Sequence, residues 1–208
     1  CTLVVDDHML YVASRNRFRA IWRPLFKLLL TRTVCGAASA IVPVTDETAR
    51  YLVEVYGVPK DKLTVILLAA STDDFFPSRE KRQAKRSAMG LADTDKLFLY
   101  TGKMEPIKNP IVALYAARRL RDMGYSFRFA FVGRADPTYL ANMRKYVSEN
   151  QLEELVTFYD AVPTCELADY FNAADVAVWP TNCTMSSLEA MACGCPVILA
   201  DLPINCER

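Results

Sequence analysis

The chain has 208 residues, 52% of them hydrophobic and 24% charged, which is enough apolar material for one large domain or two modest ones. Its formal net charge is +1, so no overall basic field points to nucleic acid as a partner. Seven cysteines, scattered and without a CxxC pair, argue against a disulfide framework or a zinc site and suit a reducing compartment.

In chain order, apolar runs at residues 2–5, 40–44, 64–68, 97–100, 128–132, 156–159, 176–179 and 197–200 alternate with helix-length segments. Nearly every position in these runs is apolar, as in strands buried on both faces, so the expected class is α/β with parallel sheets covered by helices. The first run leads into Asp6, Asp7 and His8, the only histidine, which two carboxylates can orient. An Asx turn is the plainer reading of that pair. Both ends of the chain lie within a few residues of a strand, the pattern of a fragment of a longer fold.

The stretch Ser14–Arg32 carries six basic residues and no acid, with apolar side chains at helical spacing from Phe18 to Leu29. Such a cationic amphipathic segment suits peripheral contact with an anionic membrane surface, or packing on a sheet with a snorkelling rim. No apolar run reaches the roughly 20 residues that a spanning helix needs. After the second strand, Thr45 or Asp46 is placed to cap a helix that Gly57 closes ahead of Pro59. Residues 79–86 form a dense basic, helix-prone stretch, read as a solvated linker helix, with a domain boundary near Ala70.

The residues able to do chemistry follow strands. Gly102 allows a ligand to approach the backbone just after the run at 97–100, and Lys103 and Lys108 can converge on one diphosphate. Gly133 ends the next strand at the rim where open α/β sheets bind ligands. Beyond the strand at 176–179, the loop leads through Thr184, Ser186 and Ser187 into a short helix with a single acid, Glu189. Helix N–H groups without partners attract anionic phosphate, and a carboxylate within two turns accepts hydrogen bonds from sugar hydroxyls, the layout of a nucleotide-sugar pocket.

The segment SSLEAMACGCPVI (residues 186–198) resembles the signature of retaining GT-B glycosyltransferases of family 4. The resemblance implies two Rossmann-like domains with parallel sheets: residues 1–70 as the incomplete acceptor-side domain, residues 71–208 as a nearly complete donor domain lacking its C-terminal helices. Residues 37–77, with GVPKDK at their centre, are similar to the last strand and helix of the family's first domain. The resemblance implies that Glu189, with Leu188 beside it, holds the nucleotide ribose. It implies that Lys103 and Lys108 stand for the Arg and Lys that neutralise the leaving diphosphate, with Asn109 where glycine is usual. It also places Ala161 and Val162 near the nucleobase and His8 facing the sugar.

One departure concerns the first Glu of the family's E-x7-E pattern, which normally touches the donor sugar and is here Thr181. The activity implied is transfer of a sugar from a nucleotide-diphosphate donor to a glycan or lipid-linked acceptor with retention, without metal or cofactor. The Asp6-Asp7 and Asp73-Asp74 pairs do not have the spacing of a metal-binding Asp-x-Asp. The implied location is the cytoplasm, at the inner face of a membrane where Ser14–Arg32 docks. A GT-B sugar-nucleotide epimerase and a non-catalytic nucleotide-sugar-binding subunit are the alternatives.

Overall fold

A computed structural model describes residues 4–7, 25, 28, 29, 33, 35–181, 184–202 and 205. The chain divides between Leu68 and Ala69 into two compact units.

In the first unit, β1 (Val4–Asp7) pairs in parallel with β2 (Ala40–Pro43), with Val4 opposite Ala40. Of the apolar run at 2–5, Val4 and Val5 lie in this strand and the first two positions lie outside the described residues. Helix α1 (Asp46–Tyr51) starts at Thr45, whose side chain accepts from the Thr48 N–H at 3.0 Å. It widens into a π turn over Leu52–Tyr56 and ends on Gly57, whose φ of 69° is the left-handed cap that glycine supplies without strain. The expected strand at 64–68 does not form. Thr64 and Ile66 donate to the Ile41 and Pro43 carbonyls of β2, at 3.0 and 3.1 Å, but pairing reaches only an isolated bridge at Leu63. His8 and nearly all of residues 14–32 lie outside the described residues.

The second unit holds a five-stranded, all-parallel sheet in the order β5-β4-β3-β6-β7. Its strands are β3 (Leu97–Thr101), β4 (Arg128–Val132), β5 (Val156–Tyr159), β6 (Val176–Trp179) and β7 (Val197–Leu199). Helices α3 (Ile111–Asp122) and α4 (Pro137–Glu149) connect β3 to β4 and β4 to β5. Helices α5 (Thr164–Ala173) and α6 (Met185–Ala192) carry the chain from β5 to β6 and on to β7.

The first two crossovers step outward from β3 in one direction, while the last step of the chain, β6 to β7, runs in the other. Right-handed connections then put the two helix pairs on opposite faces. In agreement, α3 packs with α4, whereas α2 (Arg79–Ala88), α5 and α6 form a separate group. The core between these layers is aromatic: Phe131 is fully buried and stacks on both Phe129 and Phe158.

Helix α2 is not the solvated linker that its charge suggests. Ser78 caps it, and two of its arginines turn inward to the N-terminal edge of the sheet. Arg82 reaches the carbonyls of Asn172, Ala173 and Ala174 that end α5, and pairs with Asp175 at 2.7 Å. Arg86 is 1% exposed and donates to the Ala173, Ala92 and Asp95 carbonyls and to Asp175. Asp175 also accepts from the Leu97 N–H that opens β3.

Burial alone would raise the Asp175 carboxyl. The Leu97 hydrogen bond and the two guanidinium groups outweigh burial and hold it below its ordinary value of 3.8. An acid with a depressed native pKa stabilises the fold above its unfolded pKa and loses that contribution as pH falls through the native value. Asp175→Asn is therefore expected to destabilise the protein at pH 7 by about 2–4 kcal/mol, because Arg86 stays buried without its counter-charge. Urea titrations of the two proteins should converge as pH falls through the depressed native pKa of Asp175, where the wild-type side chain becomes neutral like the amide of the variant. A constant difference down to pH 2 would contradict the ionic assignment.

Candidate functional site

The strand order reverses between β3 and β6, and at such a switch point the loops leaving adjacent strands diverge and open a crevice. A cavity of about 320 Å³ lies there, bounded by the segment after β3 on one side and the segment after β6 on the other. Gly102, Lys103, Lys108, Thr184 and Ser186, all singled out from sequence, line it together. Tyr100, Thr101, Glu105, Trp179 and Thr181, which carry no ligand-binding signal in the sequence, also line it.

The β3 side is shaped by an unusually close backbone contact. A Cβ on Gly133, just past β4, would sit 2.1 Å from the Gly102 carbonyl oxygen, and both glycines have positive φ, 147° and 135°. The contact lets pairing continue beyond the strands: Gly102 N–H donates to the Val132 carbonyl at 3.0 Å and Met104 N–H to the Arg134 carbonyl at 2.8 Å. Lys103 is held between these two bonds. The following turn runs from Glu105 to Asn109, whose φ of 48° is left-handed. Asparagine tolerates that region better than most side chains, which explains how it replaces a glycine there.

The β6 side is fixed to β3 by the Trp179 indole, which donates to the Thr101 carbonyl at 2.8 Å. The Thr181 hydroxyl donates to the Lys108 carbonyl at 3.3 Å, joining the two loops, and Asn205 holds the Thr181 carbonyl from beyond β7. The Thr101 hydroxyl is buried in the cavity wall without a partner among the described residues.

At the start of α6, the Thr184 N–H donates to the Ser187 hydroxyl, which in turn donates to the Thr184 carbonyl at 2.6 Å. Ser187 is fully buried, so it closes the cap instead of lining the cavity, and only Thr184 and Ser186 present the helix start to the interior.

Glu189 sits one turn further, 8% exposed, with no hydrogen-bond or ion-pair partner for its carboxylate among the described residues. Burial pushes its carboxyl above the ordinary 4.5. Glu189 and Leu188 are not part of the cavity lining, and Gly133, Ala161 and Val162 lie along the same rim at the tips of β4 and β5. His8 lies outside the described residues. No group of three or more metal-ligating side chains occurs among the described residues.

A larger cavity, about 560 Å³, lies in the first unit along α1, flanked by Arg50, Glu54 and Lys60. Among the described residues no strand tip or buried polar group lines it, and the crevice at the switch point remains the candidate site.

A model of the family described as glycosyl transferases group 1 matches residues 81–208, which include both walls of this cavity. The chain belongs to that family. It is 30% identical over 187 residues to the D-inositol 3-phosphate glycosyltransferase of Nocardia farcinica, covering 86% of this chain and 41% of that protein. It is 31% identical over 194 residues to the enzyme of the same name from Thermomonospora curvata, covering 85% and 44%. The chain thus spans less than half the length of these curated relatives.

Among solved structures, Anabaena HepE in complex with UDP-glucose superposes with a TM-score of 0.79 at 18% identity, over 99% of this chain and 55% of that one. A glycosyltransferase from Rickettsia africae gives 0.75 at 15% identity, over 96% and 51%. The fold is that of GT-B glycosyltransferases.

The Gly102–Gly133 contact generates a direct test. Gly133→Ala forces backbone apart and is expected to cost on the order of 3 kcal/mol or more. Gly124→Ala is the control: it too has positive φ, 81°, but open space around it. Denaturant unfolding should show a penalty of only about 1 kcal/mol there, and equal losses at the two sites would refute the steric argument.

Proposed function

We propose that the protein to which this chain belongs is a retaining glycosyltransferase, which moves a sugar from a nucleotide-diphosphate donor to a glycan or lipid-linked acceptor. The observation that carries this reading is the convergence of Lys103, Lys108 and the N-terminus of α6 on one cavity at the switch point. In this reading the second unit is the donor domain and the first is part of the acceptor-side domain. The curated relatives, named as glycosyltransferases, and the HepE complex with UDP-glucose support the class of donor.

The chemistry asked of the chain is electrostatic. As the bond from anomeric carbon to diphosphate oxygen breaks, negative charge builds on the departing phosphate. Two ammonium groups and a helix N-terminus, fixed before the reaction, stabilise that charge without reorganising. These cations take the place of a divalent metal, and no cofactor enters the reaction.

Glu189 is assigned to the ribose. Its buried, unpartnered carboxylate is the kind of group that two sugar hydroxyls satisfy. Ala161 and Val162, at the tip of β5, are assigned to the base, with Gly133 leaving room for the nucleotide along the rim. His8 is assigned to the donor sugar, and residues 14–32 to contact with the cytoplasmic face of a membrane near the acceptor. Thr181 is too short to repeat the sugar contact of a glutamate, so sugar choice differs from that of enzymes carrying the full E-x7-E pattern.

Release of nucleoside diphosphate on adding acceptor to the full-length protein tests the reading. Donor interconversion without acceptor would instead identify an epimerase, and binding without turnover a non-catalytic subunit.

Lys103→Ala and Lys108→Ala should each lower kcat by about 10²-fold or more while changing donor affinity far less, because the charge they meet is largest in the transition state. Steady-state kinetics that showed only a higher KM would make them ground-state binding residues.

For Glu189→Gln, calorimetry should give a loss of about 1–3 kcal/mol in nucleotide binding. The same substitution should raise the Tm of the unliganded protein at pH 7. An acid with a raised native pKa supports the fold below its unfolded value and loses that support as pH climbs through the native one. The gain should therefore vanish below about pH 4, where Glu189 is protonated in both states. A variant less stable than wild type at neutral pH would overturn the picture of an unpaired buried carboxylate.

A further inference from the structure

Tyr100 lies in the wall of the candidate site, yet neither the sequence motifs nor the comparisons give it a part. It is 2% exposed, and its ring packs on Phe131 with centroids 5.8 Å apart. A phenylalanine would serve that packing equally well. What distinguishes tyrosine is the hydroxyl, which donates to the main-chain carbonyl of Lys103 at 2.8 Å. The same oxygen lies 3.5 Å from where a Cβ on Gly102 would project. The phenol therefore closes over the one residue of the turn that has wide backbone freedom and grips the next.

We propose that Tyr100 is a positioning residue for Lys103: the tyrosine hydroxyl fixes the peptide that follows Lys103, so that the Lys103 ammonium is delivered into the cavity. Gly102, at φ 135°, gives the chain the freedom to turn there. Tyr100 then removes that freedom in favour of one orientation. A carbonyl gripped in this way sets the ψ of Lys103 and hence the direction in which its side chain leaves the turn. Burial, then Tyr139 and Glu105 nearby, hold the phenol protonated well above its ordinary value, so it stays a donor throughout the pH range of a working enzyme.

The inference rests on the reading of Lys103 as a cation for the diphosphate, and a double-mutant cycle in the full-length protein separates the two claims. Tyr100→Phe, Lys103→Ala and the double variant are compared in kcat and KM with whichever nucleotide sugar supports turnover. Tyr100→Phe alone is expected to lower kcat about tenfold with KM within about twofold, and Tm is expected to move by only a few degrees. In the Lys103→Ala background the same change is expected to alter kcat by less than about twofold, because the group it positions is gone.

Equal losses in both backgrounds, or an unchanged kcat in Tyr100→Phe, would overturn the proposal. If Lys103→Ala itself leaves turnover intact, or if no donor turns over, the reading of Lys103 has failed. The cycle is then read in the affinity for inorganic pyrophosphate measured by calorimetry. Coupling between the two substitutions there supports positioning, and independent effects refute it.

Discussion

The candidate site depends on two glycines whose backbones touch. With Gly133 against the Gly102 carbonyl, the tips of β3 and β4 stay paired after both strands have ended, and the segment carrying Lys103 cannot lift away from the sheet. Any side chain at position 133 would part these backbones, because the obstacle is main chain and not a flexible group that can move aside. The left-handed turn at Asn109, the tyrosine grip on Lys103 and the threonine bridge to Lys108 all build on a loop whose base is already fixed. This is preorganisation in a concrete form: the cations stand in place before any ligand arrives.

The two ends of the second unit's sheet do different work. At the N-terminal ends of β3 and β6, Arg82, Arg86 and Asp175 knit α2, the end of α5 and the start of β3 into one hydrogen-bonded cluster. At the C-terminal ends, polar groups are left without partners: the Thr101 hydroxyl among the described residues, and the Glu189 carboxylate one turn inside α6. Satisfied polar groups stabilise, whereas unsatisfied ones are tolerated where something else is to meet them. Among the described residues the N-terminal cluster leaves only the Arg86 Nε without a hydrogen-bond partner, whereas the Thr101 hydroxyl lacks one in the wall of the candidate site itself.

Strands β3 to β7 were legible because each is apolar on successive positions, and a sheet buried on both faces demands that. The segment at 64–68 has the same look, but its bonds to β2 from Thr64 and Ile66 do not extend into a ladder, which composition does not reveal. The basic helix at 79–88 misled for the opposite reason. Its arginines look solvated until Asp175, some 90 residues on, is known to lie beneath them. Within the site, Gly102, the two lysines and the start of α6 were legible from residue type and spacing. Tyr100, Thr101 and Trp179 were not, because in sequence they read only as the ends of strands. Their value comes from which neighbours the topology gives them. The bonds of the Ser187 hydroxyl to the Thr184 main chain at the helix start depend on local backbone geometry, which residue type alone does not show.

The indole of Trp179 and the carbonyl of Thr101 are joined across 78 residues of chain. Strand β3 is made early in the second unit, and β4 and β5 can add beside it as they emerge. The opposite edge of β3 must wait, bare, until β6 has been synthesised. During that interval an apolar strand with open backbone groups faces solvent, a hazard for mispairing with another nascent chain. The candidate site thus cannot form before β6 joins β3, and its assembly coincides with the covering of that edge.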